Sequence, residues 1–541
     1  MTNKEIARSF SRLGKIMELH DENPFKIRSY SNAYITIRKI EKPLTETTPE
    51  EMAEYKGIGK AIVEKIQELI ETGTLQAYKR YVNMTPAGII EMLDIKGFGP
   101  KKIKTIWNQL EIVSIGELLY ACNENRLVEL KGFGYKTQEA LRQQLEYFVS
   151  SKGKYHYGSL ADEAHDLQTE LLEAFPMAES SLCGAIRRLM PEVEAIELMT
   201  TANTDDIIAK VEELTVEDGV MMYKGYPCHI YQVEEEKYGK LLFEQSASEE
   251  FLEAVGEVDP AYSENEIFEN LGLAYVPAEY RESGIAYEQA RVDQLPELIT
   301  NEDLRGVIHN HSTYSDGLHS LEQMADYTYS QGYEYLVMSD HSKAAFYANG
   351  LKEDRCIQQM EEIDELNKKY DNFKIYKSIE CDILNDGSLD YDDDFLREFD
   401  LIIASVHSNL RMDEAKANAR LVKAIEHPST HILGHPTGRL LLSREGYPID
   451  HQLIIDACVA NNVVIELNAN PLRLDLDWTW IPYLLERGGM ISINPDAHHK
   501  EQIHYMKYGV AVARKAGLTV DGCLNTMDLD QFDSWVSGLP S

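Results

Sequence analysis

Leu304-Arg305-Gly306-Val307-Ile308 is a β-like run that leads to His309-Asn310-His311, with Asp316 just beyond. The same pattern recurs down the C-terminal half. Tyr335–Met338 leads to Asp340-His341, Phe373–Ile379 to Glu380, and Leu401–Val406 to His407. Ile432-Leu433-Gly434 leads to His435, and Met490–Ile493 leads to Asp496-Ala497-His498. Val463–Leu467 is a further run with no ligand candidate. Amphipathic helical stretches such as 318–332, 353–370 and 412–427 separate these β-like runs. Alternating β and α elements imply parallel strands with right-handed crossovers. A closed seven-stranded α/β barrel then gathers all strand C-termini on one face, where such barrels keep their sites.

Residue types indicate the chemistry. Six histidines (His309, His311, His341, His407, His435, His498), two aspartates (Asp316, Asp496) and Glu380 stand at these ends. Imidazole with carboxylate suits divalent Mn or Zn, with Fe as the alternative. Nine donors exceed the needs of one ion, so two or three are expected. Regular strand alternation would let His309 and His311 grip one ion. Asp340 and His499 are candidates to support the ligands, with a helix N-terminus as the equal alternative for Asp340. Lys343, Arg439 and Lys500 follow ligand motifs as candidate phosphate clamps or plain surface cations. No Ser, Cys or Lys presents a triad arrangement.

At 541 residues the chain expects three or four domains. It carries 53 Lys+Arg against 91 Asp+Glu, a net charge of −38. Residues 1–150 are close to neutral at +2, so the acidity lies in the remainder, which argues against a generally DNA-coating body. Twelve of the 16 histidines fall after residue 300, so head and tail read as separate machines. Seven cysteines without a CxxC pair make disulfides and thiolate zinc unexpected and fit a reducing compartment. No signal peptide and no membrane span are expected, and the expected location is cytoplasmic.

The head is helical, and one turn repeats three times: Lys56-Gly57-Ile58-Gly59-Lys60, Lys96-Gly97-Phe98-Gly99-Pro100-Lys101 and Lys131-Gly132-Phe133-Gly134-Tyr135-Lys136. Paired glycines permit a tight turn, and the following helix N-terminus offers free N–H groups to a phosphate. Glycine also caps ordinary helices, but three copies with the same Lys-Gly-apolar-Gly core point to sequence-independent DNA-backbone binding.

These turns resemble helix-hairpin-helix motifs. With Asn23-Pro24-Phe25-Lys26-Ile27-Arg28-Ser29-Tyr30, they resemble the lyase and fingers regions of family X DNA polymerases. The nearer resemblance is to the bacterial PolX type, which fuses that polymerase to a PHP phosphoesterase domain. It implies a multidomain chain: an all-α lyase-like domain (1–85), fingers-like helices (86–150), an α+β palm (151–245), a thumb (246–290) and a PHP α/β barrel (300–541). His309-x-His311, Thr313–Gly317, Ser339–Ser342, Ser405–Ser408, Gly434–Pro436 and Asp496–His498 match the PHP pattern at all nine ligand positions. The resemblance assigns His309, His311, Glu380 and Asp496 to one metal and has Glu380 bridge to a second held by His407 and His435. Asp316, His341 and His498 take a third. Glu380, Asp496, His407 and His435 would carry the catalytic ions.

The palm departs from its family. Where family X palms read Gly-Ser-x-Arg-Arg-Gly and then Gly-Asp-x-Asp, this chain reads Gly184-Ala185-Ile186-Arg187-Arg188-Leu189 and Val193-Glu194-Ala195-Ile196-Glu197. The metal aspartates fall on Ala195, Glu197 and, from a later strand, His229. Ser246-Ala247-Ser248 replaces a Thr-Gly-Ser turn, while the thumb remains readable in Leu271–Pro277. Nucleotidyl transfer is expected to be absent. Lys65 aligns with the Schiff-base lysine of related lyase domains, yet Ala61 stands where they often carry a phosphate-binding lysine, and nothing nearby would activate Lys65.

The expected function is a metal-dependent DNA phosphoesterase: a 3′-to-5′ exonuclease or 3′-end processor, with abasic-site incision as an extension, in DNA repair. Gapped, nicked or 3′-tailed DNA would be its partner, with a monomer as the default. The rivals are a PHP hydrolase of small phosphomonoesters, which would have no use for three hairpins, and a non-catalytic DNA-binding scaffold, which would not keep nine ligands.

Overall fold

The computed structural model describes residues 1–541 except 96, 129, 131, 151, 152, 218 and 541. It divides into two compact units, Met1–Cys122 with Arg126–Glu146, and Asn123–Asn125 with Tyr147–Ser541. Among the described residues no helix is long and apolar enough to cross a membrane, and all seven cysteines are buried and free.

The first unit is helical. Its three glycine turns open helices α1 (Lys60–Thr72), α2 (Pro100–Leu110) and α3 (Tyr135–Ser150). In each turn the middle apolar residue is buried: Ile58 at 1%, Phe98 at 5% and Phe133 at 4% exposure. The Phe98 and Phe133 rings meet edge to face at 6.3 Å. Burying the apolar residue leaves its flanking glycines outward.

The second unit begins with a five-stranded sheet. In chain order its strands are β1 (Ser180–Leu182), β2 (Ile196–Thr200), β3 (Leu214–Glu217), β4 (Val220–Tyr223) and β5 (Tyr226–Gln232). In space they run β1-β2-β5-β4-β3, with only β2–β5 parallel. Short helices of residues 235–291 follow around a Phe243, Phe251 and Phe268 core.

Seven parallel strands then succeed one another: β6 (Gly306–Asn310), β7 (Tyr335–Met338), β8 (Lys374–Asp382), β9 (Leu401–Ser405), β10 (Ile432–Leu433), β11 (Val464–Asn468) and β12 (Ile491–Asn494). Sequence order equals spatial order, as helical crossovers between neighbours require. An isolated Asn310–Ala497 bridge brings the segment just past the last strand beside the first and leaves the barrel nearly closed. Most strand residues are buried, which is why the runs read as continuously apolar. At the other end of the barrel from the ligands, Phe532 stacks on Tyr335 at 4.1 Å and fills the floor.

One apolar core runs from the five-stranded sheet into the barrel. Lys515 is 2% exposed at this junction, and its Nζ donates to Arg188 O at 2.6 Å and Glu282 Oε1 at 2.7 Å. Burial pushes its pKa down to about 8 against the pull of Glu282.

Candidate metal centre

The barrel rim gathers all nine expected side chains. Glu380 is the hub. Its Oε1 lies 3.0 Å from His435 Nε2, 3.1 Å from His407 Nε2 and 3.3 Å from His309 Nε2. Its Oε2 lies 2.9 Å from His341 Nδ1 and 3.7 Å from His311 Nε2. Asp496 Oδ1 stands 3.1 Å from His311 Nε2, and Asp316 stands 3.3 Å from His498 Nε2 and 3.6 Å from His341 Nε2. His311 stacks between His498 and His341 at 4.1 and 4.4 Å.

Four sets of donors converge within 4.8 Å: His311, Asp316, His341 and His498; His309, His311 and Asp496; His341, Glu380 and His407; and Glu124, Asp496 and His498. Glu124 and the role of His341 beside Glu380 and His407 fall outside the expected grouping. Several of these buried donors have no hydrogen-bond partner: His309 Nε2, His311 Nδ1, Asp316 Oδ2, both nitrogens of His341, Glu380 Oε2, His435 Nδ1 and His498 Nε2. Unsatisfied buried polar atoms are costly, and a cluster of them fits divalent cations.

Regular strand alternation does not bring His309 and His311 together. His309 has φ of +66°, the β6–β7 register shifts between Val307 and Asn310, and the strand ends before His311. His435 and Asp496 also have positive φ, at +23° and +52°. Three of the nine candidates thus stand in sparsely populated backbone conformations, a concentration typical of functional sites.

Charge is organised around the hub. Burial would raise the Glu380 pKa, but His407, His309 and His341 hold it well below the ordinary range. Burial also opposes charge on His407, yet Glu380 and Asp382 push it up to about 10. Burial, with His498 and His341 close by, drives His311 down to about 3.

The supporting shell was only partly anticipated. Asp340 accepts from Ser312 N at 2.8 Å and Ser315 N at 3.0 Å, so it pins the turn that presents Asp316. His499 instead caps the short helix Lys500–Tyr505. The sequence reading missed Glu466 in β11, whose Oε2 lies 2.6 Å from His309 Nδ1 and whose Oε1 accepts His435 N–H at 3.0 Å. It also missed Asp382, 2.8 Å from His407 Nδ1. A carboxylate inside the apolar run Val463–Leu467 was the available signal, because a buried charge must be paired. Lys343 pairs with Glu353 and Arg439 with Asp477, which leaves Lys500 without a carboxylate partner among the described residues.

In the head, Gly57, Gly97 and Gly132 have φ of +97°, +80° and +94°. Gly59 and Gly99 open α1 and α2 without any side-chain cap, and Gly134 precedes α3. A Cβ at Gly59, Gly97, Gly99, Gly132 or Gly134 would meet nothing within 4 Å. Open turns with uncapped N–H groups suit a phosphate, beside Lys60, Lys101 and Lys136. Lys96 and Lys131 lie outside the described residues. Lys65 pairs with Glu68 on its own helix.

Residues 1–75 match a helix-hairpin-helix domain and 89–146 a SAM-like helix-hairpin-helix tandem. The chain is 32% identical to the DNA polymerase/3′-5′ exonuclease PolX of Bacillus subtilis (strain 168), in an alignment covering 99% of each. It belongs to the PolX family. The C-terminal part of this PolX chain is also similar to phosphatases. A probable phosphatase of Thermoanaerobacter sp. (strain X514) is 26% identical over 40% of the chain and 89% of its own length. One from Syntrophotalea carbinolica is 26% identical over 28% of the chain and 65% of its own length.

The residues expected at the palm metal positions, Ala195, Glu197 and His229, lie on or beside the five-stranded sheet. Ala195 is buried, and Glu197 pairs in register with His229 across β2 and β5. Glu197 Oε2 accepts Ala185 N–H at 3.0 Å, at the start of the short helix Gly184–Arg187. Arg187 forks onto Glu264 at 2.6 and 2.9 Å, and Arg188 onto Glu282 at 2.9 Å through two nitrogens.

Proposed function

We propose that this chain is a metal-dependent DNA phosphoesterase, a 3′-to-5′ exonuclease or 3′-end processor that also incises abasic sites, acting in bacterial cytoplasmic DNA repair. The observation that carries the reading is a rim of nine converging donors, many unpaired, in a chain that also bears three open hairpin turns. The proposed domains are 1–85, 86–150, 151–245, 246–290 and 300–541, as the sequence suggests.

Two or three Mn or Zn ions, with Fe as the alternative, would be held by His309, His311, Glu380 and Asp496, by Glu380, His407 and His435, and by Asp316, His341 and His498. Such ions supply an activated water and neutralise phosphate oxygens. The chain's own residues set the geometry. Glu466 and Asp382 fix the rings of His309 and His407, and Asp340 fixes the turn of Asp316. The Gly57–Lys60, Gly97–Lys101 and Gly132–Lys136 turns hold the DNA backbone.

We further propose that the palm no longer transfers nucleotides. A two-metal site needs paired carboxylates, whereas Ala195 offers no ligand and Glu197 is engaged by Ala185 N–H. Lys65, paired with Glu68, is read as an ordinary helix-surface lysine rather than a lyase nucleophile.

The test is a nuclease assay with added Mn²⁺ on gapped and 3′-tailed DNA, run beside a chromogenic phosphate ester. Wild type should degrade DNA, and folded His309→Ala and Glu380→Ala should not. Ester turnover without DNA turnover would favour the small-phosphoester rival, and a chain that takes up no metal would favour the scaffold. Template-dependent incorporation would overturn the palm reading.

A further inference from the structure

We propose that Phe346 is a stacking platform for an unpaired nucleobase at the mouth of the metal centre, an inference that rests on the DNA phosphoesterase reading. Phe346 sits in the loop that leaves β7 directly after His341. The loop returns to the same place, where Leu351 donates its N–H to His341 O at 2.8 Å and Ser342 bridges to Leu351. Phe346 is therefore carried on the ligand face of the barrel.

Single exposed apolar side chains are common on protein surfaces, but the setting of this one is unusual. The ring is 76% exposed, while Ala345 and Ala348 on either side of it are fully buried. The loop beneath is clamped. Asn349 donates from its side chain to Tyr314 O at 3.2 Å and Ser315 O at 3.4 Å, the turn that presents Asp316. Arg355 Nη1 donates to Asn349 O at 2.9 Å, and Ala344 N to Asp390 Oδ2 at 2.6 Å. Gly350 lies so close that a Cβ there would come within 2.0 Å of Ser342 O. A phenyl ring on a rigid base binds with little further ordering.

Two cations follow other donor-bearing strand ends of the same barrel. Arg411, four residues past His407, makes no ion pair or hydrogen bond among the described residues, and Lys500, two past His498, has no carboxylate partner. Exposed aromatic rings on which bases stack hold single-stranded DNA without reading its sequence. The occupant is a base of a frayed or single-stranded 3′ end.

The experiment uses the full chain loaded with Mn²⁺. Wild type, Phe346→Ala and Phe346→Trp are compared on duplex DNA with an ordinary 3′ tail, on the same duplex with an abasic tail, and on a chromogenic phosphate ester. Binding of labelled tails is followed by anisotropy. Phe346→Ala should weaken binding and raise KM on the ordinary tail about tenfold, while the abasic tail and the ester change by less than about twofold. Phe346→Trp should restore the ordinary tail and show fluorescence quenching on DNA addition. If Phe346→Ala changes both tails equally, or neither, the platform is overturned while the DNA reading stands. If wild type hydrolyses the ester but neither tail, the DNA reading fails and the platform with it.

Discussion

His309 Nδ1 lies 2.6 Å from Glu466 Oε2, with both side chains fully buried. Asn494 Nδ2 donates to that oxygen at 2.7 Å, and Asn468 Nδ2 donates to Glu466 Oε1 at 3.0 Å. The carboxylate is thus held on two sides and directs His309 Nε2 toward Glu380. Glu466→Gln should weaken metal affinity about 10- to 100-fold, with activity recovered at raised Mn²⁺. Titration calorimetry with Mn²⁺ checks this, and unchanged affinity would make Glu466 a passive core group.

The imidazoles set a pH trend. Glu380 and Asp382 outweigh burial and push His407 up to about 10, and Glu124 and Asp316 do the same for His498. An unfolded histidine titrates near about 6.5, so this stabilisation is complete below that pH and is lost as pH rises through the folded values. Metal-stripped protein should lose thermal stability between pH 6.5 and about 10, and His407→Asn should lose less. Coordination needs neutral imidazoles, so the rise in Tm on adding Mn²⁺ should grow over the same window. A gain in Tm that does not vary with pH would contradict the assignment.

Gly59 and Gly99 separate folding from DNA binding. Both have extended backbone angles that aspartate adopts readily, and both open helices that lack a side-chain cap. Gly59→Asp with Gly99→Asp should hold or slightly raise stability, by roughly 0.3 kcal/mol per cap. The new carboxylates would occupy the N–H groups and repel phosphate, so DNA affinity should fall. Thermal melts and anisotropy against salt read the two effects, and full DNA affinity would exclude these turns as the contact.

Glu264 is 6% exposed and joins Arg187 to Arg281, which is fully buried. Glu264→Ala would leave two guanidinium groups without their counter-charge. Breaking a buried pair this way costs about 3–5 kcal/mol. The denaturant midpoint should drop accordingly, and a loss below about 1 kcal/mol would show that the arginines relax to water.

The barrel was legible because its strands are apolar runs with polar ends. Tyr335–Met338 and Ile432–Leu433 coincide with observed strands, and the nine side chains gathered at the rim stand at or shortly past such ends. Glu466 escaped because it lies within its run. The left-handed backbone of His309, His435 and Asp496 escaped because nothing in the residue types announces it. Glu124 escaped because it is remote in sequence from the partner it reaches, His498, at 3.5 Å. The hairpin turns were readable from glycine spacing alone. The pairing of Arg187 and Arg188 with Glu264 and Glu282 was not, because residues some 77 and 94 positions apart carry no local pattern.

Lys515 has a consequence for dissection of the chain. Its ammonium is satisfied by Arg188 O and Glu282 from the segment before residue 300. A barrel expressed alone would present a stranded cation and a bare apolar seam around Tyr508, which now packs on Tyr157 at 6.2 Å. Excision near residue 300 should give an insoluble fragment, because the segment before it supplies the other wall of the same core.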